Sequence, residues 1–434
     1  MARLRPLTAI IVGAGHRSLA CAAYSLEHPE RLKIVGVADL SELRRQRVAR
    51  RFGLSEEQCF RSADELASKG KLADVIINGT MDHQHVPTSL PLLARGYNIL
   101  LEKPFAVNED EMWELVDTAR RYQRRVMIGH VLRYAPFYNA IRKRVATGDI
   151  GEITHIETTE CIAYHHVVVG YVRGKWNRKD RGGFSTLMSK CCHDLDLIAW
   201  MKSGVRPKTV ASIGNRMYFR PEKAPPGAGT RCLVDCPIEP DCVYSARKHY
   251  VDHDWWDMYV WPSIEHIENP TTEDKIESLR TDNPFGRCVW QCDNDVVDHQ
   301  GVIVEFADGC VATHSMSSGT PRGDRTIHLC GTKGEIVGSA RDDHYVIRYI
   351  DPRPGREHST QVVKVLGGED TDQAHAGHGG GDALLMQDFV DFMSGRPPSI
   401  ATTSIEDSIS GHLIGFSANR AMEERRVVDI LWRG

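Results

Sequence analysis

A glycine-rich turn that directly follows an apolar run constrains the fold of this chain more than any other feature. The run Thr8–Val12 predicts a buried strand, and Gly13 and Gly15 come immediately after it, before a helix-like segment. Glycine allows a tight turn and lets the backbone approach a pyrophosphate, which then lies at the helix N-terminus. Ser18 stands in place of the third glycine of the usual pattern, and its small side chain still permits close helix–strand packing. The turn therefore predicts a dinucleotide site.

An acidic residue at the end of the second apolar run indicates which dinucleotide is bound. Asp39 follows the run Ile34–Ala38, and a carboxylate at this place binds the ribose hydroxyls of NAD. Its charge repels the 2′-phosphate of NADP, although Arg44 and Arg45 lie nearby with the opposite charge. We therefore predict NAD as the cofactor. The predicted cofactor-binding residues of these two segments are Gly13, Gly15, His16, Arg17, Ser18 and Asp39.

Strand and helix patterns alternate over the first third of the chain. Alternating βα units predict a parallel sheet with helices on both faces, and such sheets bind ligands at the carboxyl ends of their strands. We therefore expect an α/β fold in which residues 1–135 form a Rossmann domain with a doubly wound parallel sheet. The predicted strands are Thr8–Val12, Lys33–Ala38, Asp74–Asn78, Asn98–Leu101 and Arg125–Val131.

The pattern changes after about Gly151. Runs rich in β-branched residues are joined by short turns, which predicts a large, mostly antiparallel sheet. We expect residues 136–434 to form an α+β domain. Its predicted strands are Gly151–Ile162, Val210–Tyr218, Gly301–Phe306, Val311–Ser317, Arg325–Cys330 and His344–Ile350, and its predicted helices are Asp194–Lys202, Ala383–Met393 and Ile405–Glu423.

A segment rich in proline, tryptophan and cysteine interrupts this sheet pattern. Residues 219–295 are expected to form an inserted lobe. Thiolates held close together can bind structural zinc in a tetrahedral site, but the spacings here differ from those of a zinc ribbon. Free thiols, a disulfide and an iron–sulfur cluster stay open as alternatives, so the metal is unknown. The cysteines concerned are Cys232, Cys236, Cys242, Cys288 and Cys292.

Length and charge restrict the class of protein. With 434 residues the chain is long enough for two or three domains with full cores. The formal net charge of −4 implies no general affinity for nucleic acid or for an anionic membrane. No segment approaches the roughly 18 apolar residues of a membrane helix. We expect a cytoplasmic protein that acts on a small molecule.

The triplet Glu102-Lys103-Pro104 adds a more specific signal. Together with the glycine turn and His193, it resembles the Gfo/Idh/MocA family of nicotinamide-dependent oxidoreductases. The resemblance implies a dinucleotide domain followed by an antiparallel sheet whose face carries the substrate. It also implies that Lys103 lies near the nicotinamide and the reacting hydroxyl. Residues Thr80, His85, Glu102 and Lys103 then belong to the cofactor side of the site.

A second element of the resemblance is Gly182-Gly183 followed by a helix with His193 and Asp196. His193 aligns with the catalytic histidine of the family, and Asp196 aligns with a structural carboxylate. The chain departs from the family at Ser189, where an aspartate is common. Lys190 lies about one helical turn before His193, and we predict that it holds or polarises a substrate oxygen.

The segment 377–382, Gly-His-Gly-Gly-Gly-Asp, is the third element. Related segments bring a histidine and an aspartate toward the sugar, which makes His378 and Asp382 candidate substrate ligands. A flexible loop with Asp382 at the helix N-cap is the alternative. Tyr164 and Arg133 follow predicted strands and are further candidates for substrate contact.

These features favour an NAD-dependent dehydrogenase in which a sugar hydroxyl loses its proton to Lys103 or His193. The alternative is a redox-neutral NAD-dependent glycosidase, such as a sulfoquinovosidase, which oxidises C3 transiently and then returns the hydride. A non-enzymatic NAD-binding sensor is disfavoured because Lys103 and His193 occur together. An exposed face of the second-domain sheet would suit a homo-oligomer.

Overall fold

Six parallel strands form the first sheet of the computed structural model, which describes residues 5–182, 185–365 and 380–433. They are β1 (Leu7–Val12), β2 (Leu32–Ala38), β3 (Cys59–Phe60), β4 (Val75–Asn78), β5 (Asn98–Leu101) and β6 (Val126–Ile128). Their order is β3-β2-β1-β4-β5-β6, so the winding reverses between β1 and β4, where such sheets bind ligands. The predicted parallel sheet is confirmed, and β3 is an addition because its two residues are too short a run to recognise.

Helices with well-formed ends connect these strands. They are α1 (His16–Glu27), α2 (Glu42–Phe52), α3 (Ala63–Ser68), α4 (His85–Ala94) and α5 (Glu109–Arg121). The side chain of Asn108 accepts a hydrogen bond of 2.8 Å from the Glu111 amide and so caps α5. Gly53 ends α2 with φ +67°, a conformation that favours glycine. These local signals explain why the helices lie close to their predicted positions.

The second sheet has nine strands in the order β14-β13-β12-β11-β7-β10-β9-β8-β15. They are β7 (Ile153–Ala163), β8 (Pro207–Asn215), β9 (His299–Phe306), β10 (Val311–Thr320), β11 (Asp324–Gly331), β12 (Gly334–Ser339), β13 (His344–Ile350), β14 (His358–Lys364) and β15 (Val428–Asp429). The β7–β10 pair is parallel and the other neighbouring pairs are antiparallel. The predicted mostly antiparallel sheet is confirmed. The prediction missed β14, which is largely exposed and lacks an alternating apolar face.

One buried helix dominates the packing of the second domain. The helices are α6 (Pro136–Ala146), α7 (Tyr164–Val167), α8 (Thr186–Met201), α9 (Asp257–Val260), α10 (Thr272–Arg280), α11 (Gly381–Met393) and α12 (Ile405–Glu424). Helix α8 starts eight residues before its predicted start because Ser185 caps it, accepting a 3.1 Å hydrogen bond from the Met188 amide. None of the helices in the described ranges combines the length and apolar character needed to cross a membrane.

Two of the contacts between the first domain and the second lie at the end of β6 and just after it. The Ile128 amide at the end of β6 donates to the Thr403 carbonyl at 2.8 Å, just before α12. Arg133, which follows β6, forms hydrogen bonds of 2.7 and 2.6 Å to Asp196 on α8, and both side chains are buried. Arg133 therefore fixes the domain junction, and the structure does not place it at an open substrate surface as predicted.

The residues between β8 and β9 form the lobe (residues 216–298), which is built from short helices and turns. It has a small core of its own around Tyr250, Leu279 and Phe285. Arg173, fully buried at the base of the lobe, donates to the backbone carbonyls of Tyr244 at 2.8 Å and Arg287 at 2.7 Å. The lobe is thus attached to the segment that precedes α8.

The junction pair gives a stability prediction. Asp196→Ala leaves the Arg133 guanidinium buried without its carboxylate, so the free energy of unfolding should fall by about 3–5 kcal/mol in urea titrations. The double variant Arg133→Met/Asp196→Leu removes both charges and should recover most of this loss. Asp117→Ala, at a carboxylate that is 63% exposed, is the control. A single-variant loss below about 1 kcal/mol would contradict the assignment.

Candidate active site

The glycine turn between β1 and α1 is closely packed and leaves the helix N-terminus open. Gly13 has φ +77°, and a Cβ added to it would lie 2.8 Å from the backbone of Thr80. A Cβ on Gly79 would lie 2.2 Å from Ser18 Oγ, so the serine preserves the close helix–strand approach that was predicted for it. Gly15, at the N-cap of α1, has nothing nearer than 3.9 Å to an added Cβ. This geometry fits a pyrophosphate at the end of α1.

Asp39 is fixed against the same turn. Its two carboxylate oxygens accept hydrogen bonds from the amides of Ala14 at 2.7 Å and Ser41 at 2.8 Å. Arg45 donates to the Asp39 carbonyl at 2.6 Å, and Arg44 pairs with Glu265 of the lobe at 3.1 Å. The carboxylate therefore stands at the ribose end of the dinucleotide site, and both arginines are already paired within the protein.

Arg17 links three parts of the chain at the cofactor site. Its Nε donates to Glu102 at 3.0 Å, directly after β5, and its Nη2 donates to Asp382 at 2.7 Å, at the start of α11. The carboxylate of Asp382 is thus bound by an arginine of the cofactor side, and its contact with substrate stays a prediction. His378 and Gly183 lie outside the described residues.

Lys103, His130 and His193 converge at the carboxyl edge of the first sheet. Lys103 follows β5, and its Nζ donates to the Ser189 carbonyl of α8 at 3.0 Å. The rings of His130, after β6, and His193, on α8, lie edge to face with centroids 5.9 Å apart. His130 is not among the predicted site residues, although its place at a strand's carboxyl end was an available signal.

His130 is a neutral group at physiological pH. Burial lowers its pKa well below the usual range, and the charges of Arg133 and Lys103 act in the same direction. A proton taken up by the neighbouring His193 ring is therefore not opposed by a positive charge on His130.

Lys190 belongs to a buried network of charges on the substrate side. Its Nζ lies 3.3 Å from a Glu160 oxygen of β7. Arg325 of β11 reaches the other Glu160 oxygen at 2.6 Å and Asp194 of α8 at 3.0 Å. Burial lowers the pKa of Lys190 and raises that of Glu160. Two cations thus share two carboxylates, and the Lys190 side chain keeps 15% of its surface exposed.

His85 lies beneath the cofactor loops and does not face the cleft. Its ring is buried, with Nδ1 2.7 Å from the Pro104 carbonyl and Nε2 3.1 Å from the Thr80 carbonyl. The ring connects the loops after β4 and β5. This corrects the prediction of direct cofactor contact: both ring nitrogens are occupied by the backbone, so His85 positions Thr80 and the residues around Lys103.

An aromatic wall, formed by side chains of α7 and of the lobe, joins these two parts of the second domain. Tyr164 packs edge-on against Trp255 of the lobe, with centroids 6.4 Å apart. His166 stacks on Trp256 at 4.5 Å, and Trp256 has φ +68°, a strained value for this residue type. Burial, and the charges of Lys190 and Arg325, lower the pKa of His166 well below the usual range. Helix α7, which carries Tyr164 and His166, directly follows β7, the strand that carries Glu160.

The lobe cysteines do not form a preformed metal site in the described part of the chain. No three of them offer ligand atoms within 4.8 Å of one another there. Cys232 instead accepts a contact from Arg173 at 3.4 Å. Cys191, Asp194 and His314 do satisfy this distance, but Arg325 lies against Asp194 and supplies positive charge. Whether the lobe binds zinc stays an open prediction.

Both parts of the chain match known family models. Residues 7–130 match the "Oxidoreductase family, NAD-binding Rossmann fold" model, and residues 142–430 match the "Oxidoreductase family, C-terminal alpha/beta domain" model. Among curated proteins, YteT of Bacillus subtilis (strain 168), which is named as an oxidoreductase, is 24% identical over 75% of this chain and 73% of its own length. Glucose-6-phosphate 3-dehydrogenase of the same organism is 28% identical over 34% of this chain and 40% of its own length.

Solved structures share the fold. A levoglucosan dehydrogenase in complex with NADH and levoglucosan aligns with a TM-score of 0.69 at 17% identity, over 99% of this chain and all of the other. An oxidoreductase from Agrobacterium radiobacter in complex with NAD+, L-tartaric acid and magnesium aligns with a TM-score of 0.67 at 14% identity, over 98% of each chain. At these identities the likeness concerns the fold.

Asp39 leads to a prediction of cofactor preference. NAD should bind at least about tenfold more tightly than NADP, or about 1.4 kcal/mol, because the fixed carboxylate repels a 2′-phosphate. Titration with both cofactors gives the two dissociation constants. Asp39→Ser should narrow the difference, whereas Asp64→Ser, at a carboxylate in α3, should leave it unchanged. Equal or reversed affinities in the unaltered protein would overturn the assignment of NAD as the preferred cofactor.

Proposed function

We propose that this chain, which belongs to the Gfo/Idh/MocA family of NAD-binding oxidoreductases, is a dehydrogenase that oxidises a CH–OH carbon of a sugar or sugar derivative. The observation that carries the proposal is the hydrogen bond of 3.0 Å from Lys103 Nζ to the Ser189 carbonyl, about one helical turn before His193 on α8. One lysine and one histidine at the carboxyl edge of a dinucleotide-binding sheet provide the acid–base groups that alcohol oxidation needs.

The division of labour follows from this arrangement. Bound NAD supplies the hydride acceptor at C4 of its nicotinamide. Lys103 and His193 orient the substrate hydroxyl, and one of them takes its proton as the carbon becomes a ketone. Neutral His130 packs against His193 and keeps water from one side of it. Glu102, bound by Arg17, holds the segment that carries Lys103.

The cleft suits a polyhydroxylated substrate. Its proposed polar contact is Lys190, whose side chain keeps 15% of its surface exposed, and its proposed aromatic contacts are Tyr164 and His166. Hydroxyl groups pair with the polar atoms, while the apolar face of a sugar ring packs on aromatic rings. Glucose-6-phosphate 3-dehydrogenase and levoglucosan dehydrogenase, two of the similar proteins, are named for sugar substrates. We therefore assign Lys190, Tyr164 and Asp382 to the substrate side of the site.

The free face of the second sheet supports a homo-oligomer. Ile213 on β8 and Ile303 on the adjoining β9 are 84% and 53% exposed, and Val362 on β14 is 58% exposed. Apolar side chains on one open sheet favour burial against a second copy of the chain.

Removal of either acid–base group should lower turnover. Lys103→Ala and His193→Ala should each reduce kcat by about 10²-fold or more on the best sugar of a panel, followed by NADH absorbance. Lys143→Ala, at an exposed lysine on α6, should have no effect. NAD binding should persist in His193→Ala, which separates a catalytic loss from loss of the cofactor. Near-normal turnover in either variant would exclude that residue.

A second experiment distinguishes net oxidation from redox-neutral hydrolysis. The reaction is run in heavy water with free sugars and C1-glycosides, and NADH and the deuterium content of the sugar are measured. A dehydrogenase forms one NADH for each product molecule, because the hydride leaves the sugar permanently. Release of the aglycone with deuterium at C2 and no matching NADH would replace the dehydrogenase with the glycosidase that the sequence left open.

A further inference from the structure

A large cavity separates the glycine turn from the lobe. Its volume is about 1040 Å³. Ala14, Gly15 and His16 form one side of it, and Tyr259 and Glu265 of the lobe belong to the other. The N-terminus of α1 therefore opens into a space that the lobe borders.

The lobe is fastened to the cofactor domain at the ribose end of this cavity. Glu265 accepts a hydrogen bond from Arg44 Nε at 3.1 Å and lies 3.9 Å from Arg47 Nη1. Arg47 also donates to the Glu265 backbone carbonyl. Both arginines lie on α2, which begins three residues after Asp39. One carboxylate of the lobe thus bridges two successive turns of a Rossmann helix.

Lys175 lies in the wall of the same cavity. Its Nζ is 4.4 Å from the centroid of Trp176, 5.9 Å from that of Tyr259 and 3.3 Å from Met81 Sδ. No carboxylate in the described ranges lies within 4.0 Å of it, which sets it apart from Lys190. Burial lowers the pKa of Lys175, and the charge of Asp82 acts in the opposite direction. An anion bound beside this amine favours its charged form and accepts its hydrogen bonds.

The position of Lys175 identifies the anion. Lys175 lines one cavity together with Gly15 and His16 of the glycine turn and with Arg44 of α2. The Lys175 side chain and the N-terminus of α1 therefore border one common space. The group of a dinucleotide that lies there is the pyrophosphate, which also meets the N-terminus of α1.

We propose that the lobe is the outer wall of the NAD site: Lys175 binds the pyrophosphate from the side opposite α1, and the contacts of Glu265 with Arg44 and Arg47 hold the lobe closed over the cofactor. Segment 173–177 connects the lobe to the pyrophosphate contact. Arg173, two residues before Lys175, donates hydrogen bonds to backbone carbonyls of the lobe. NAD then leaves only when the lobe opens, and its release is slow.

The pyrophosphate contact is tested by binding of two fragments of the cofactor. Lys175→Ala should weaken ADP by at least about tenfold and leave adenosine unchanged, as measured by calorimetry. Lys175→Arg should restore most of the ADP affinity, and Lys223→Ala, at an exposed lysine of the lobe, is the matched control. Equal loss for ADP and adenosine, or no loss for either, would contradict the contact.

Lobe closure is tested by the rate of NADH release. Protein loaded with NADH is mixed with excess NAD in a stopped-flow instrument, and the decay of NADH fluorescence gives the rate. Glu265→Gln should raise the release rate about fivefold, because this variant loses two ion pairs that are only partly buried. Glu268→Gln, at an exposed carboxylate close by, should leave the rate unchanged. Arg47→Gln repeats the test from the other partner. An unchanged release rate in both variants would refute closure, whatever the substrate proves to be.

Discussion

Burial of helix α8 is the constraint on which the rest of the site depends. The helix is buried along almost its whole length and yet carries Lys190, Asp194 and Asp196. An ionised group without a partner in such a place costs several kcal/mol, so each one must meet a group of opposite charge. Glu160 and Arg325 come from two neighbouring strands of the second sheet to meet the first two. The need to pair these buried charges therefore fixes the position of α8 between the two sheets.

The same pairs determine the orientation of the reacting groups. Arg133 holds Asp196 to the end of the first sheet, and Arg325 holds Asp194 to the second. His193 directly precedes Asp194 and lies three residues before Asp196, so both pairs fix the turn of α8 that carries its ring beside His130. A helix fixed at two points on two sheets gives a rigid support for acid–base chemistry, which depends on distances of a few tenths of an ångström.

Features determined by a short stretch of sequence were predictable, whereas features that depend on contacts between residues far apart in the chain were not. The glycine turn and Asp39 are local, because strand, turn and acid follow one another. The start of α8 was missed because a helix buried on all sides has no amphipathic stripe to mark it. His85 was expected at the cofactor, since sequence gives a residue's neighbours along the chain and not the carbonyls that occupy its nitrogens. Arg133 was misjudged for the same reason: its partner lies 63 residues away.

Closure of the lobe over NAD bears on the type of reaction, because it sets the rate at which NADH can leave. If the lobe closes over NAD, an enzyme that must release NADH after every oxidation has to open the lobe in every cycle, and kcat cannot exceed the rate of that release. A reaction that returns the hydride to its own substrate needs no release of NADH. It proceeds with the lobe closed, and its kcat is not limited by the release rate. The ratio of kcat to the NADH release rate is therefore a physical measure of the reaction class. A value well above one is incompatible with net oxidation by free exchange of cofactor, because each product would then need a release step that is slower than turnover itself.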